Sequence, residues 1–177
     1  MTKGDFRRLC LDRLLFFSRF AKIKKDKIIC KKLLDIINLH KPKKILLYIP
    51  LKTEVDIKPL IDILRKREGI EVYVPYMSGE SFIPVKYRLP LKKGKFNIKQ
   101  PRYSRFLKNE IDFDMAIVPI IGIDSTSRRV GFGKGIYDRF FETLKKRPIT
   151  VFTQTKLCKT KLIVTDIYDI KADYIIT

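Results

Sequence analysis

The strongest constraint on the fold is a change of hydrophobic period that occurs twice. Lys44-Ile-Leu-Leu-Tyr-Ile49 is a short apolar run stopped by Pro50, and Ile57, Leu60, Ile61 and Leu64 then recur at i, i+3, i+4 and i+7. The first segment reads as a strand and the second as one face of an amphipathic helix. Ile70-Glu-Val-Tyr-Val74, closed by Pro75, supplies the next strand. Strand, helix, strand implies a parallel sheet with a right-handed crossover. Further on, Phe113 to Ile121 is again a buried-strand pattern, followed by a glycine-rich loop and a helix carrying Ile136, Phe140, Phe141 and Leu144. Ile149 to Thr153, Leu162 to Val164 and Ala172 to Ile176 are expected as the last strands.

Two helices are expected before the first strand. One runs from Lys3 to Ala21 with Phe6, Leu9, Cys10, Leu14 and Phe17 near helical spacing, and Thr2 with Asp5 resembles an N-terminal capping pair. The other buries Ile29, Leu33, Ile36 and Ile37 and ends near His40 and Pro42. Residues 76–110 are less regular, with Pro84, Pro90 and Pro101 punctuating a hairpin around Phe82 to Tyr87. The expectation is a single domain over 1–177: an α/β fold with an open, mostly parallel sheet and helices on both faces, a Rossmann-like three-layer arrangement. A chain of 177 residues, 45% apolar, suffices for one core.

Charge and cysteines narrow the function classes. A formal charge of +20 draws in phosphates, polyanions or acidic membranes, so nucleic-acid binding competes with small-anion binding. No aromatic RNA-binding pattern, zinc-ligand set or helix-turn-helix signature supports the nucleic-acid reading. Cys10, Cys30 and Cys158 are odd in number and widely spaced, which argues for reduced thiols rather than a disulfide framework. With charges interrupting the first twenty residues and no run near the roughly 20 apolar residues of a membrane span, a cytoplasmic location without membrane association is expected. His40, the sole histidine, rules out a histidine-rich metal centre.

Chemistry concentrates in Arg128-Arg-Val-Gly-Phe-Gly-Lys-Gly-Ile-Tyr-Asp138. Glycines at 131, 133 and 135 let backbone N–H groups approach an anion, the following helix start adds partial positive charge, and Arg129 and Lys134 carry full charges. The pattern is neither of the familiar nucleotide loops: Ile136 occupies the last glycine position of G-x-G-x-x-G, and no G-x-x-x-x-G-K-[ST] occurs. On spacing alone an ordinary flexible connection fits as well. Asp138 likewise suits a helix first turn without any metal.

Together with Val118-Pro119, Gly122, Asp124 and Arg139, this stretch resembles the signature of 5-formyltetrahydrofolate cyclo-ligases. Lys3-Gly-Asp-Phe-Arg7 is similar to the family's amino-terminal Lys and Arg, and i, i+4 spacing places both on one helical face. Ile49-Pro-Leu-Lys-Thr-Glu54 resembles its strand-end segment, Lys95-Phe-Asn-Ile-Lys-Gln-Pro101 its connection toward the substrate, and Asp169-Ile-Lys-Ala-Asp173 its carboxy-terminal segment. Departures occur as well. Ile136 stands where the first of two tyrosines is common, Cys158 falls near a usual glutamine, and Val164 and Tyr168 replace a proline and a histidine.

The resemblance implies ring closure of 5-formyltetrahydrofolate, in free or polyglutamylated form, with ATP as co-substrate and Mg2+. It implies Lys134 and Arg129 as catalytic cations. ATP contacts would come from Lys3, Arg7, Arg129, Val130, Gly131, Phe132, Gly133, Lys134, Gly135, Ile136 and Tyr137. Folate contacts would come from Ile49, Glu54, Phe132, Lys134 and Tyr137, and metal ligation from Asp138 and Asp169. A different phosphate-handling α/β enzyme, such as a sugar-phosphate isomerase, would share the topology without the chemistry.

Overall fold

Two helices open the chain in this computed structural model, which describes residues 1–18, 22–94, 98–101 and 111–177. In α1 (Lys3–Ser18) the capping pair is reciprocal, with Asp5 N–H donating to Thr2 Oγ1 (3.1 Å) and Thr2 N donating to Asp5 Oδ2 (3.0 Å). Helix α2 (Lys22–His40) buries Ile29, Leu33 and Ile37, one face at a 3.6-residue period. His40 ends it and hydrogen-bonds the Tyr174 hydroxyl at 2.9 Å, a structural role.

The period change is realised as β1 (Lys44–Leu46), α3 (Lys58–Leu64) and β2 (Glu71–Ser78). After β2 come β3 (Ser81–Lys86), β4 (Leu91–Lys93), β5 (Lys99–Pro101), β6 (Met115–Pro119), β7 (Gly122–Ile123), β8 (Arg129–Val130), α4 (Ile136–Glu142), β9 (Ile149–Thr153) and β10 (Tyr174–Ile176). The main sheet has six strands in the order β10-β9-β6-β1-β2-β3, parallel throughout except for the β2–β3 hairpin. Side chains alternate across it. Ile45, Val72, Val74, Met115, Ile117 and Val151 pack beneath α2 and α3, while Leu46, Tyr73, Ala116, Val118 and Phe152 face Phe140 of α4. Helices therefore cover both faces, as expected for buried parallel strands. A third cluster, Phe6, Cys10, Leu14, Ile121, Val130 and Cys158, seats α1 on the small β7–β8 ribbon.

Three expectations are corrected. Pro75 does not close β2 but lies inside it, paired with Pro84 of the edge strand β3. The register with β1 ends at Tyr73, so a proline two residues on removes no N–H from that ladder. Leu162 to Val164 is not a strand: Leu162 and Ile163 are exposed, and the Val164 and Thr165 N–H groups donate to Asp124 instead (3.3 and 3.2 Å). Cys10 and Cys158 form a disulfide across 148 residues, their Cα atoms 5.7 Å apart, leaving Cys30 as the free thiol. Spacing in sequence could not show this, because only the docking of α1 brings the pair together. Among the described residues no helix is long and apolar enough to cross a membrane.

Candidate active site

From β1 the chain builds outward through β2 and β3, then returns to the other side of β1 to lay down β6, β9 and β10. That reversal makes a topological switch point between β1 and β6, and open α/β sheets bind ligands outside the carboxyl ends of the strands flanking it. Here Tyr48 and Ile49, just past β1, and Pro119, at the end of β6, line one cavity of about 580 Å3. This is the size of a small-molecule site.

The cationic wall comes from α1 and the glycine loop. Lys3, Arg7, Arg129, Lys134 and Arg139 all line the cavity, with Gly131, Phe132, Gly133 and Gly135 between them. Arg129 is buried at 5% exposure; its Nε donates to the Pro119 carbonyl (3.2 Å), and its guanidinium lies 5.1 Å from the Tyr137 ring centroid. Gly131 is required by that placement, since a Cβ there would meet Arg129 Nη2 at 2.5 Å. Gly135 caps α4 at φ +60°, a left-handed conformation that favours glycine. Arg7 Nε donates to the Gly131 carbonyl (2.7 Å), and Arg139 holds the loop against the β2–β3 turn through the Lys134 and Glu80 carbonyls. Helix α4 spans only seven residues, so full charges rather than its dipole dominate the attraction for an anion.

Much of the remaining lining is apolar. Ile49, Leu51, Met77, Phe82, Ile98, Ile136 and Tyr137 surround a single acid, Glu54, which accepts a hydrogen bond from the Leu51 N–H (2.8 Å). Burial pushes the Glu54 carboxyl up from its ordinary 4.5 to about 7, against the opposing pull of that N–H and of Arg129. Burial, reinforced by the nearby Glu54 charge, also raises the Tyr137 phenol well above its usual range. The Tyr137 ring packs edge-on against Phe82 at 5.2 Å.

Two further carboxylates face the cationic wall. Asp138 Oδ2 lies 3.2 Å from Arg129 Nη1, and its Oδ1 accepts from the Ile170 N–H at 3.5 Å. Asp169, 9% exposed, pairs with Lys3 Nζ at 2.5 Å and accepts from the Asp166 N–H at 2.7 Å. Among the described residues no cluster of three or more His, Cys, Asp or Glu exists, so a metal selected by histidine or thiolate does not fit. Two carboxylates beside lysine and arginine side chains do suit Mg2+, which is commonly bound through one or two carboxylates.

The structure gathers all but one of the residues expected to contact ATP, folate or metal. Lys3, Arg7, Ile49, Glu54, Arg129, Gly131 to Asp138 and Asp169 line the cavity. Val130 does not: it is wholly buried among Phe6, Cys10 and Ile121, with its carbonyl taken by the Ile121 N–H (2.9 Å). The Lys95 to Asn97 part of the connection toward the substrate lies outside the described residues. Leu51 and Ile98 line the cavity from the two segments that resemble the family's strand end and its connection toward the substrate, whereas Tyr48, Pro75, Met77, Phe82, Glu142, Asp166 and Tyr168 carry no such expectation. Met77 and Phe82 carried no signal, because an apolar strand residue reads as core whichever way it points. Tyr168, 68% exposed at the rim, was legible only as a departure from the family pattern.

Asp124 explains how the carboxy-terminal segment is held there. Its Oδ1 accepts from Thr126 N, Thr126 Oγ1 and Arg128 N (2.9, 2.6 and 3.3 Å), and its Oδ2 from Val164 N, Thr165 N and Thr165 Oγ1 (3.3, 3.2 and 2.5 Å). Burial alone would raise this carboxyl, yet the hydrogen bonds from Thr126, Thr165 and Arg128 bring it down to about 2. One buried anion thus joins the ribbon that carries Arg129 to the loop leading to Asp169.

An open α/β sheet whose switch point gathers cations, glycine backbone and paired carboxylates defines an α/β protein with a charged small-molecule cavity at that point. Comparison with known proteins narrows the class. The family model described as the 5-formyltetrahydrofolate cyclo-ligase family matches residues 2–177, and the chain belongs to that family. A Schizosaccharomyces pombe protein named "Probable 5-formyltetrahydrofolate cyclo-ligase" is 31% identical over 120 residues, 63% of this chain and 58% of that protein. The Mycoplasma genitalium 5-formyltetrahydrofolate cyclo-ligase is 25% identical over 154 residues, 85% of this chain and 83% of its own. The solved structure of Aquifex aeolicus 5,10-methenyltetrahydrofolate synthetase superposes with a TM-score of 0.83 and 28% identity, covering 100% of this chain and 90% of that one.

Proposed function

We propose that the chain closes 5-formyltetrahydrofolate to 5,10-methenyltetrahydrofolate, using ATP with Mg2+ and releasing ADP and phosphate. The observation that carries this reading is one cavity lined both by apolar side chains around Ile49, Glu54, Phe82 and Tyr137 and by the cations of α1 and the glycine loop. A flat heterocycle with ring N–H donors suits the first, and a triphosphate suits the second. The names of the family relatives supply the substrate pair.

In the proposed reaction the formyl oxygen attacks the γ-phosphorus of ATP, and the bond from that phosphorus to the β-bridging oxygen breaks as ADP leaves. The neighbouring folate nitrogen then attacks the activated formyl carbon, and inorganic phosphate carries away the former formyl oxygen. Ring closure makes one C–N bond and breaks one C–O bond and one N–H bond, and the proton leaves with the phosphate. The protein's work is orientation and charge stabilisation. Glu54 accepts from the pterin N–H groups, with Ile49, Phe82 and Tyr137 enclosing the ring. Lys134 and Arg129 stabilise charge on the transferring oxygens, and Lys3 and Arg7 brace the rest of the phosphate chain. Asp138 and Asp169 would hold Mg2+, which would supply positive charge to offset that of the triphosphate.

The test is methenyltetrahydrofolate formation by the purified chain with ATP and Mg2+, with ATP in chelator, and with no nucleotide. Turnover only in the first condition is expected. Equal turnover without nucleotide would sink the proposal, because ring closure would then lose water without phosphoryl transfer.

A further inference from the structure

Four charged groups that the proposed ligands need are already paired with one another within the chain. Lys3 Nζ lies 2.5 Å from Asp169 and 3.7 Å from Asp166, while Arg129 Nη1 lies 3.2 Å from Asp138. These two pairs join a cation assigned to phosphate with a carboxylate assigned to the metal. Arg129 and Asp169 are buried, so separating either pair without replacement would leave a charge out of water, which is strongly unfavourable.

We propose that the site accepts the nucleotide and its divalent cation only as one complex, by exchange of partners across these two ion pairs; the inference rests on the ATP reading given above. A divalent cation alone must displace Lys3 and Arg129 from the carboxylates and strand them. A bare triphosphate must draw the same cations away and strand Asp169 and Asp138. The metal–nucleotide complex supplies both charges at once. Each cation passes from carboxylate to phosphate, each carboxylate from cation to metal, and no buried charge loses its partner. Arg7 takes no part in the exchange, because its Nε is held by the neutral Gly131 carbonyl at 2.7 Å. This gives the two ligands a mutual dependence built from the protein's own pairs, beyond the affinity they have for each other in solution.

Isothermal titration of the full chain with MgCl2, with ATP in EDTA, and with both together tests the exchange without turnover. Wild type should bind the complex and bind each component alone weakly. Lys3→Met frees Asp169 and should tighten binding of Mg2+ alone by about tenfold or more, the size expected for one charge-assisted contact. Arg7→Met removes the same charge from the same cavity but frees no carboxylate, so it should change that affinity by less than about threefold. In the reverse direction, Asp169→Asn should tighten ATP in EDTA while weakening the complex, whereas Glu142→Gln, another lining acid, should do neither. Because this arm does not use the lysine variant, it stands even if Lys3→Met fails to fold. The exchange is overturned if Arg7→Met tightens Mg2+ as much as Lys3→Met, or if wild type binds either component alone as well as the complex. Failure of wild type to bind nucleotide in any form would instead overturn the ATP reading, and this inference with it.

Discussion

Glu54→Gln should stabilise the protein above neutral pH while impairing folate binding. In the folded chain the carboxyl titrates at about 7 rather than 4.5, because burial disfavours its charge. A group raised in this way holds its proton in the folded state across a window where the unfolded chain has released it. Stability therefore falls as pH rises between those two values, and the full cost is present above about 7. At ~1.36 kcal/mol per tenfold change in proton affinity, the gap sets a ceiling near ~3 kcal/mol. Glu54 lines an open cavity, so water screens part of this, leaving about 1–2 kcal/mol. For a chain of this length that amounts to ~2–8 °C in melting temperature. Thermal melts of both proteins from pH 4 to 9 should show the variant gaining on wild type as pH rises and matching it below about pH 4.5. A difference that is constant with pH, or that favours wild type at high pH, would refute the burial argument. Steady-state kinetics supply the other half. The folate KM should rise roughly ten- to hundredfold, as for loss of one charge-assisted hydrogen bond, with the KM for ATP little changed.

Lys134→Met should lower kcat by roughly 100- to 1,000-fold at saturating ATP and folate, with stability within about 0.5 kcal/mol of wild type; a kcat within about threefold would remove it as a transition-state contact. Asp124→Asn puts an amide donor where only donors converge and should cost about 2–4 kcal/mol at pH 7 by urea unfolding. Because Asp124 titrates at about 2 against an ordinary 3.8, its contribution is present above 3.8 and should disappear as pH falls through about 2. Cys158→Ser opens a loop spanning 148 residues and should lower stability by about 2–4 kcal/mol, a difference that reductant should abolish by bringing wild type down to the variant.

Much of the architecture was legible because its signals are local. Hydrophobic period distinguishes helix from strand within a few residues, so α1 to α4, β1, β6 and β9 lie where the pattern puts them. Expectations failed where a distant partner decides. Proline commonly ends a strand, yet Pro75 sits within β2 because β1 no longer runs beside it. Leu162 to Val164 has the composition of a strand, but three donors of Val164 and Thr165 converging on Asp124 keep that stretch as a loop beside the site.

For the site, sequence alone determined which chemical groups the chain carries: the glycine loop with its cations, the two basic residues one helical turn apart on α1, and the acids at 54, 138 and 169. Those follow from residue type and short spacing. Only the tertiary structure decided that these groups face a single cavity at the switch point, that Val130 turns away from it, and that the Lys3–Asp169 and Arg129–Asp138 pairs already join its cations to its acids. It alone brought Cys10 beside Cys158. The physical reason is that period and propensity act over one or two turns, whereas burial, ion pairing and proton affinity depend on what the packed sheet brings within a few ångströms.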